Sequence, residues 1–344
     1  MTKNIVISGE TLTGKTLVAL GLAKYLTDNG KKVGYLKPVG SSNDEDATVM
    51  KKVLDLDASL DSICPVVRTK ASYDEFIKIG HDALLRKIND GYNEVSQNCD
   101  YVIIEGPKAP WNLSHVDLST PHIASEFNAS VICLVNFPDV DAIDDILLQR
   151  DLFVQHGIED ISIILNMVPP MYSNLVKDEI GPYTEGLGLQ YLGSIFIRRE
   201  LFSPSIREIL QVLNGQMLVG ENNLDVLVDQ FMVGSMAPEN ALKWFRRAKD
   251  KAVITSGDRS DICLAAMETD TNLLILTGGI GPDIRTIARA KELGIPIMMT
   301  AHDTYTTGNL VDELVGTVSP DDFEKVRTVQ QIMLESLDFS SLMK

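Results

Sequence analysis

The sequence predicts two α/β units in tandem, the first built on a doubly wound, mostly parallel sheet. Three observations carry this. At 344 residues the chain is longer than one small core requires. Short β-rich runs alternate with helix-periodic segments through the first two hundred residues and again after residue 212. Most of the runs are continuously apolar, as in strands covered on both faces.

The first run, Asn4–Ser8, reads as a buried strand. Thr16–Leu26 carries apolar residues at Val18, Leu22, Tyr25 and Leu26, a helical spacing, and Asn29-Gly30 supplies the stop. Further strands fit Lys32–Lys37, Tyr101–Glu105, Ser130–Val135, Ile161–Asn166 and Tyr191–Ile195. A ligand of such a sheet lies beyond the carboxyl ends of its strands. Pro107–Pro121, with three prolines and Trp111, has no period and leaves the sheet at that edge, so a functional loop is expected there. The first domain spans residues 1–212. The second, residues 213–344, opens at Leu213-Asn214-Gly215, with strands expected at Gln216–Val219, Asp225–Val228, Ala252–Thr255, Leu273–Leu276 and Pro296–Met299.

Hydrophobic residues at 44% and charged residues at 23% are ordinary for a folded protein. The longest apolar stretch, Ala129–Phe137, is about half of a membrane span. The N-terminus enters a strand at once, so no signal peptide is expected. Cys64, Cys99, Cys133 and Cys263 lack CxxC spacing and read as structural thiols of a reducing compartment, so a cytoplasmic location is expected, with no membrane partner. A net charge of −17 argues against nucleic acid as a partner. It also makes any local gathering of lysines and helix N-termini informative.

Such a gathering follows the first strand. Gly9-Glu10-Thr11-Leu12-Thr13-Gly14-Lys15-Thr16 fits G-x-x-x-x-G-K-[ST] between a strand and a helix. Gly9, Thr13 and Gly14 belong to a loop whose backbone N–H groups can curl around phosphates. Lys15 would meet the β and γ phosphates of a nucleoside triphosphate, ATP for preference, and the Thr16 hydroxyl would bind Mg²⁺. Three other positions supplement the loop. Lys37 ends the second strand and can face it, or be a solvated lysine before a turn. Asp46, in the run Asn43-Asp44-Glu45-Asp46, is a metal ligand or part of a solvated helix start. Glu105 closes a buried strand, as a metal ligand or in a structural pair. Thr16, Asp46 and Glu105 together form a hard-oxygen set suited to Mg²⁺.

This arrangement resembles dethiobiotin synthetase, and the whole chain resembles the N-terminal half of long bacterial phosphotransacetylases, where a dethiobiotin-synthetase-like P-loop domain precedes a DRTGG domain. The resemblance implies that Lys15, Thr16, Lys37, Ser41, Asp46 and Glu105 bind phosphates, a carboxylate substrate and Mg²⁺. It implies a substrate-side role for Thr11 and a nucleotide-base contact for Asn166, and it implies a homodimer. Leu192-Gly193, Ser203–Ile209, Val233–Met236, Gly257–Ile262, Leu276–Gly279 and Asp303–Tyr305 resemble the later part in order. Two departures matter. Glu105-Gly106 continues into Pro107-Lys108-Ala109-Pro110-Trp111 instead of a glycine-rich stretch, and only Asp258-Arg259 of the namesake string survives. Because the sequence stops at Lys344, without the acyltransferase domain, it is not expected to make acetyl phosphate by itself.

Three functional classes follow. One is an ATP-dependent enzyme that phosphorylates a carboxylate or carbamate, with Lys15 and Lys37 as its cations. Another is a nucleotide-sensing regulator acting through the DRTGG-like domain, and the third is a purely structural protein. In the second domain, Asp258 and Ser260 cap a helix while Arg259 forms an ion pair, or Arg259 is the cation of a site for an acidic metabolite.

Overall fold

The computed structural model describes residues 2–69, 72–198, 201, 203–312, 314 and 323–343. It divides into two compact units, Met1–Ile197 with Val318–Lys344, and Arg198–Thr317.

The first unit holds a parallel sheet in the order β2-β5-β1-β6-β7-β8. Its strands are β1 (Lys3–Gly9), β2 (Val33–Leu36), β5 (Tyr101–Glu105), β6 (Ser130–Asn136), β7 (Ile161–Val168) and β8 (Gln190–Phe196). All six were expected from their apolar runs. The pair β3 (Val39–Ser41) and β4 (Val66–Arg68) forms a separate small sheet too short to have shown in the sequence. Register fixes the site: Ile7 lies beside Glu105, and Gly9 beside Leu134, so the first glycine-rich turn and the end of β5 emerge together.

Helix α1 (Lys15–Asp28) is buried beyond the predicted stripe, with Leu17, Ala19, Leu20 and Ala23 also inside. A helix apolar on all sides needs a second cover. The C-terminal helix Phe323–Ser336 supplies it. A Cβ on Gly21 would fall 2.3 Å from that of Met333, and the Tyr25 and Phe339 rings lie 5.7 Å apart. The division expected at residues 212/213 therefore falls instead at 197/198. The chain's last segment belongs to the first unit because its apolar residues Val326, Val329, Ile332 and Met333 are buried there.

The second unit has the order β10-β11-β12-β13-β9, parallel except for β9 at one edge. Here β9 is Gln216–Val219, β10 Gln230–Val233, β11 Lys251–Ser256, β12 Thr271–Thr277 and β13 Ile297–Met299. The strand expected at Asp225–Val228 is absent; β10 lies beyond it. Backbone groups of residues 224–228 bond instead to Pro204, Ile206 and Arg207, fastening the start of helix Ile206–Val212. That helix opens with a capping box between Ser205 and Glu208.

Candidate functional site

The loop Glu10–Gly14 joins β1 to α1. Gly14 has φ 82°, and a Cβ there would lie 2.9 Å from Asn166 Nδ2, so the turn needs glycine for both its conformation and its neighbour. Lys15 turns back on the loop, its Nζ donating to the carbonyls of Gly9 at 2.9 Å and Glu10 at 2.7 Å. Burial holds this lysine below its ordinary pKa, against the pull of Glu105.

Thr16, on the first turn of α1, donates to Glu105 Oε2 at 3.1 Å. The Glu105 carboxylate is buried and also accepts from the Tyr35 hydroxyl at 2.8 Å. Lys37 Nζ lies 3.5 Å from Glu105 Oε1, 2.9 Å from Asp44 Oδ1 and 2.5 Å from Asp46 Oδ2. Burial by itself would lower the Lys37 pKa, but Glu105, Asp46 and Asp44 outweigh it and hold the ammonium above its ordinary range. Burial pushes Glu105 up, against the attraction of Lys37.

The structure thus gathers Lys15, Thr16, Lys37, Asp46 and Glu105 around the carboxyl ends of β1, β2 and β5. Ser41 donates both its N–H and its hydroxyl to Asp44 Oδ2, at 3.0 and 3.2 Å. Thr11 is exposed and donates to the Lys108 carbonyl at 3.3 Å, which ties the Pro107–Pro121 loop to the glycine-rich turn. That loop is packed, with Ala109, Leu113, Val116 and Leu118 buried. Thr13 is buried, and its hydroxyl donates to the Glu10 carbonyl at 2.8 Å. Asn166 uses both polar atoms internally: Nδ2 donates to the Thr13 carbonyl at 2.7 Å, and Oδ1 accepts from Met167 N–H at 2.8 Å. In this arrangement it braces the turn.

Two residues escaped the sequence reading. Asp44, not Asp46, caps helix α2 (Glu45–Leu54) through Ala47 N–H, and it holds both Lys37 and Ser41. Its place directly before a helix-forming run was the available signal. Tyr35 passed as one more apolar strand residue, although a buried phenol needs a partner.

Oxygens of Thr16, Glu105 and Asp46 are the donors a hard cation takes. Among the described residues no group of three or more His, Cys, Asp or Glu side chains is arranged to hold a metal ion. No described helix is long and apolar enough to cross a membrane.

In the second unit the blocks after β11, β12 and β13 do converge. A Cβ on Gly257 would fall 1.7 Å from the Ile280 carbonyl oxygen, and Gly278 N–H donates to His302 O at 2.8 Å. Arg259 is spent on Asp261, at 2.9 and 3.0 Å, and on the Met236 carbonyl at 3.0 Å. Asp303 caps the helix Thr304–Asp312 through the N–H groups of Tyr305 and Thr306. Arg259 thus forms the ion pair of the first alternative, but the capping half of it fails: Arg259 itself is the N-cap residue of the helix Ser260–Met267, which carries no side-chain cap from Asp258 or Ser260.

Fold and site together define a P-loop α/β protein with a second, smaller α/β domain. A family model described as an AAA domain matches residues 3–205, and one described as a DRTGG domain matches residues 208–314. The chain belongs to this AAA domain family and carries a DRTGG domain after it. It is similar to the phosphate acetyltransferase of Nitratidesulfovibrio vulgaris, 26% identical over 367 residues, which cover 99% of this chain and 51% of that protein. It is also similar to the ATP-dependent dethiobiotin synthetase of Methanocaldococcus jannaschii, 26% identical over 214 residues, 60% of this chain and 100% of that protein. Among solved structures, the CBS and DRTGG domains of the regulatory region of Clostridium perfringens pyrophosphatase, complexed with the activator diadenosine tetraphosphate, match 57% of this chain and 84% of theirs at 20% identity and a TM-score of 0.31. The chain spans about half the length of the phosphate acetyltransferases it matches.

Proposed function

We propose that the first unit binds ATP with Mg²⁺ at Gly9–Thr16 and uses it to activate a small carboxylate or carbamate. One observation carries this reading: Thr16 and Lys37 each meet the Glu105 carboxylate, at 3.1 and 3.5 Å, beside the glycine-rich turn. Lys15 would exchange two neutral carbonyls for charged phosphate oxygens, a stronger partner. Thr16, Glu105 and Asp46 would hold Mg²⁺, which when bound supplies positive charge to the phosphates. Lys37, kept cationic by its three carboxylates, would then serve the substrate's own carboxylate. A substrate oxygen attacks the γ-phosphorus, ADP leaves, and a nucleophile later displaces the phosphate. Such chemistry asks for positioning and charge more than for proton transfer. The similarity to an ATP-dependent dethiobiotin synthetase supports this class.

A second reading is a nucleotide sensor with little turnover. The packed, proline-rich loop bonded to Thr11 favours it, because that loop flanks the side a substrate would enter. Phosphate release from ATP, measured with and without a panel of small carboxylates, separates the two. The enzyme reading expects release stimulated by one of them. Tight ATP binding with no stimulation by any would overturn it in favour of the sensor.

A further inference from the structure

Tyr35 is fully buried in β2, a strand whose four residues are all inside. It pairs in register with Ile103 of β5, two residues before Glu105. Side chains two apart on a strand share a face, so Tyr35 and Glu105 lie on one side of the sheet, diagonal across neighbouring strands. The phenol reaches forward to Glu105 Oε2 at 2.8 Å. That same oxygen accepts from the Thr16 hydroxyl at 3.1 Å. Thr16 has one hydroxyl hydrogen, and directing it at Glu105 turns its lone pairs elsewhere.

We propose that Tyr35 is a positioning residue for the cation site: it locks the Glu105 carboxylate in the orientation that commits the Thr16 hydrogen and leaves the Thr16 oxygen to Mg²⁺. The inference rests on the nucleotide site proposed above. Without the phenol, the carboxylate keeps Thr16 and Lys37 as its polar contacts, and Lys37 is shared with Asp44 and Asp46. The carboxylate would then be free to turn toward the lysine. The competing account is that a buried tyrosine takes whichever acceptor lies nearest, with no consequence for the site.

Tyr35→Phe removes only the hydroxyl and keeps the ring that fills the core. Binding of a fluorescent ATP analogue is measured for wild type and variant, once in EDTA and once across a Mg²⁺ titration. Outer-shell partners of metal ligands typically carry about 10-fold or more in metal affinity. The variant is expected to need about 10-fold more Mg²⁺ for half-maximal tightening, with its affinity in EDTA within about twofold of wild type. In a Glu105→Ala background the same change should add nothing further, since the group it orients is gone. An unchanged Mg²⁺ midpoint overturns the proposal. Equal weakening in EDTA and in Mg²⁺ also overturns it, because a damaged fold acts on both. A wild-type protein that binds no analogue in either buffer fails the nucleotide reading itself, and the role of Tyr35 with it.

Discussion

Thr16 donates its hydroxyl to Glu105 across 89 positions of sequence, at 3.1 Å. This bond joins the first turn of α1 to the end of β5, and it exists because Ile7 and Glu105 share a register on adjacent parallel strands. A cation placed on Thr16 is therefore within reach of Glu105. Asp46 stands differently: its side chain is 41% exposed and meets the site through Lys37.

That difference orders the metal variants. Glu105→Ala should raise the Mg²⁺ needed for nucleotide binding by about 10-fold or more, and Asp46→Ala by less. Nucleotide binding followed through a Mg²⁺ titration checks this. Wild-type Mg²⁺ dependence in both variants would leave the metal to Thr16 alone.

The returning C-terminal helix makes a second test. Met333 packs against Gly21 of α1, so Met333→Ala should cost about 2–5 kcal/mol in urea unfolding, as large-to-small core changes do. A protein ending at residue 212 should expose the covered face of α1 and lose solubility. A soluble, ATP-binding fragment of residues 1–212 would mean that this helix is dispensable to the first unit.

A pH effect is expected from a cleft away from the glycine-rich turn, lined by His81, His122, His156, Asp117 and Glu126. Burial lowers the His122 pKa below its ordinary 6.5; His156 and His81 add to the shift, and Asp117 opposes it. The folded state thus takes up the proton less readily than the unfolded chain. Stability from this residue is complete above the ordinary value and is lost as pH falls through the lower folded one. Urea unfolding from about pH 7.5 down to about 5 should show a decline that flattens in His122→Gln. Parallel declines in wild type and variant would assign the loss to other groups.

What the sequence disclosed, and what it did not, follows from the range of each signal. Continuous apolar runs marked all six strands of the first sheet, and the G-x-x-x-x-G-K-T string marked the turn, because both are local patterns. The convergence of Lys37 and Glu105 could be read because parallel strands put their carboxyl ends together. Asp44 was passed over in favour of its neighbour Asp46, since an acidic run does not say which residue turns inward. The role of Tyr35 depends on register between β2 and β5, which no local pattern carries. The attachment of the C-terminal helix is a long-range fact of the same kind. Its trace in the sequence was Leu17, Ala19, Leu20 and Ala23, apolar positions outside the predicted stripe of α1.

The most direct test of the central claim is calorimetric titration of ATP, with Mg²⁺ present, into wild type and Lys15→Ala. Lys15 is a buried cation beside the turn, bonded to the carbonyls of Gly9 and Glu10. If the turn cradles a triphosphate, the variant should bind at least about tenfold more weakly, since a charge-assisted contact is lost. Equal affinity in the two proteins would contradict the assignment of Gly9–Thr16 as the nucleotide site.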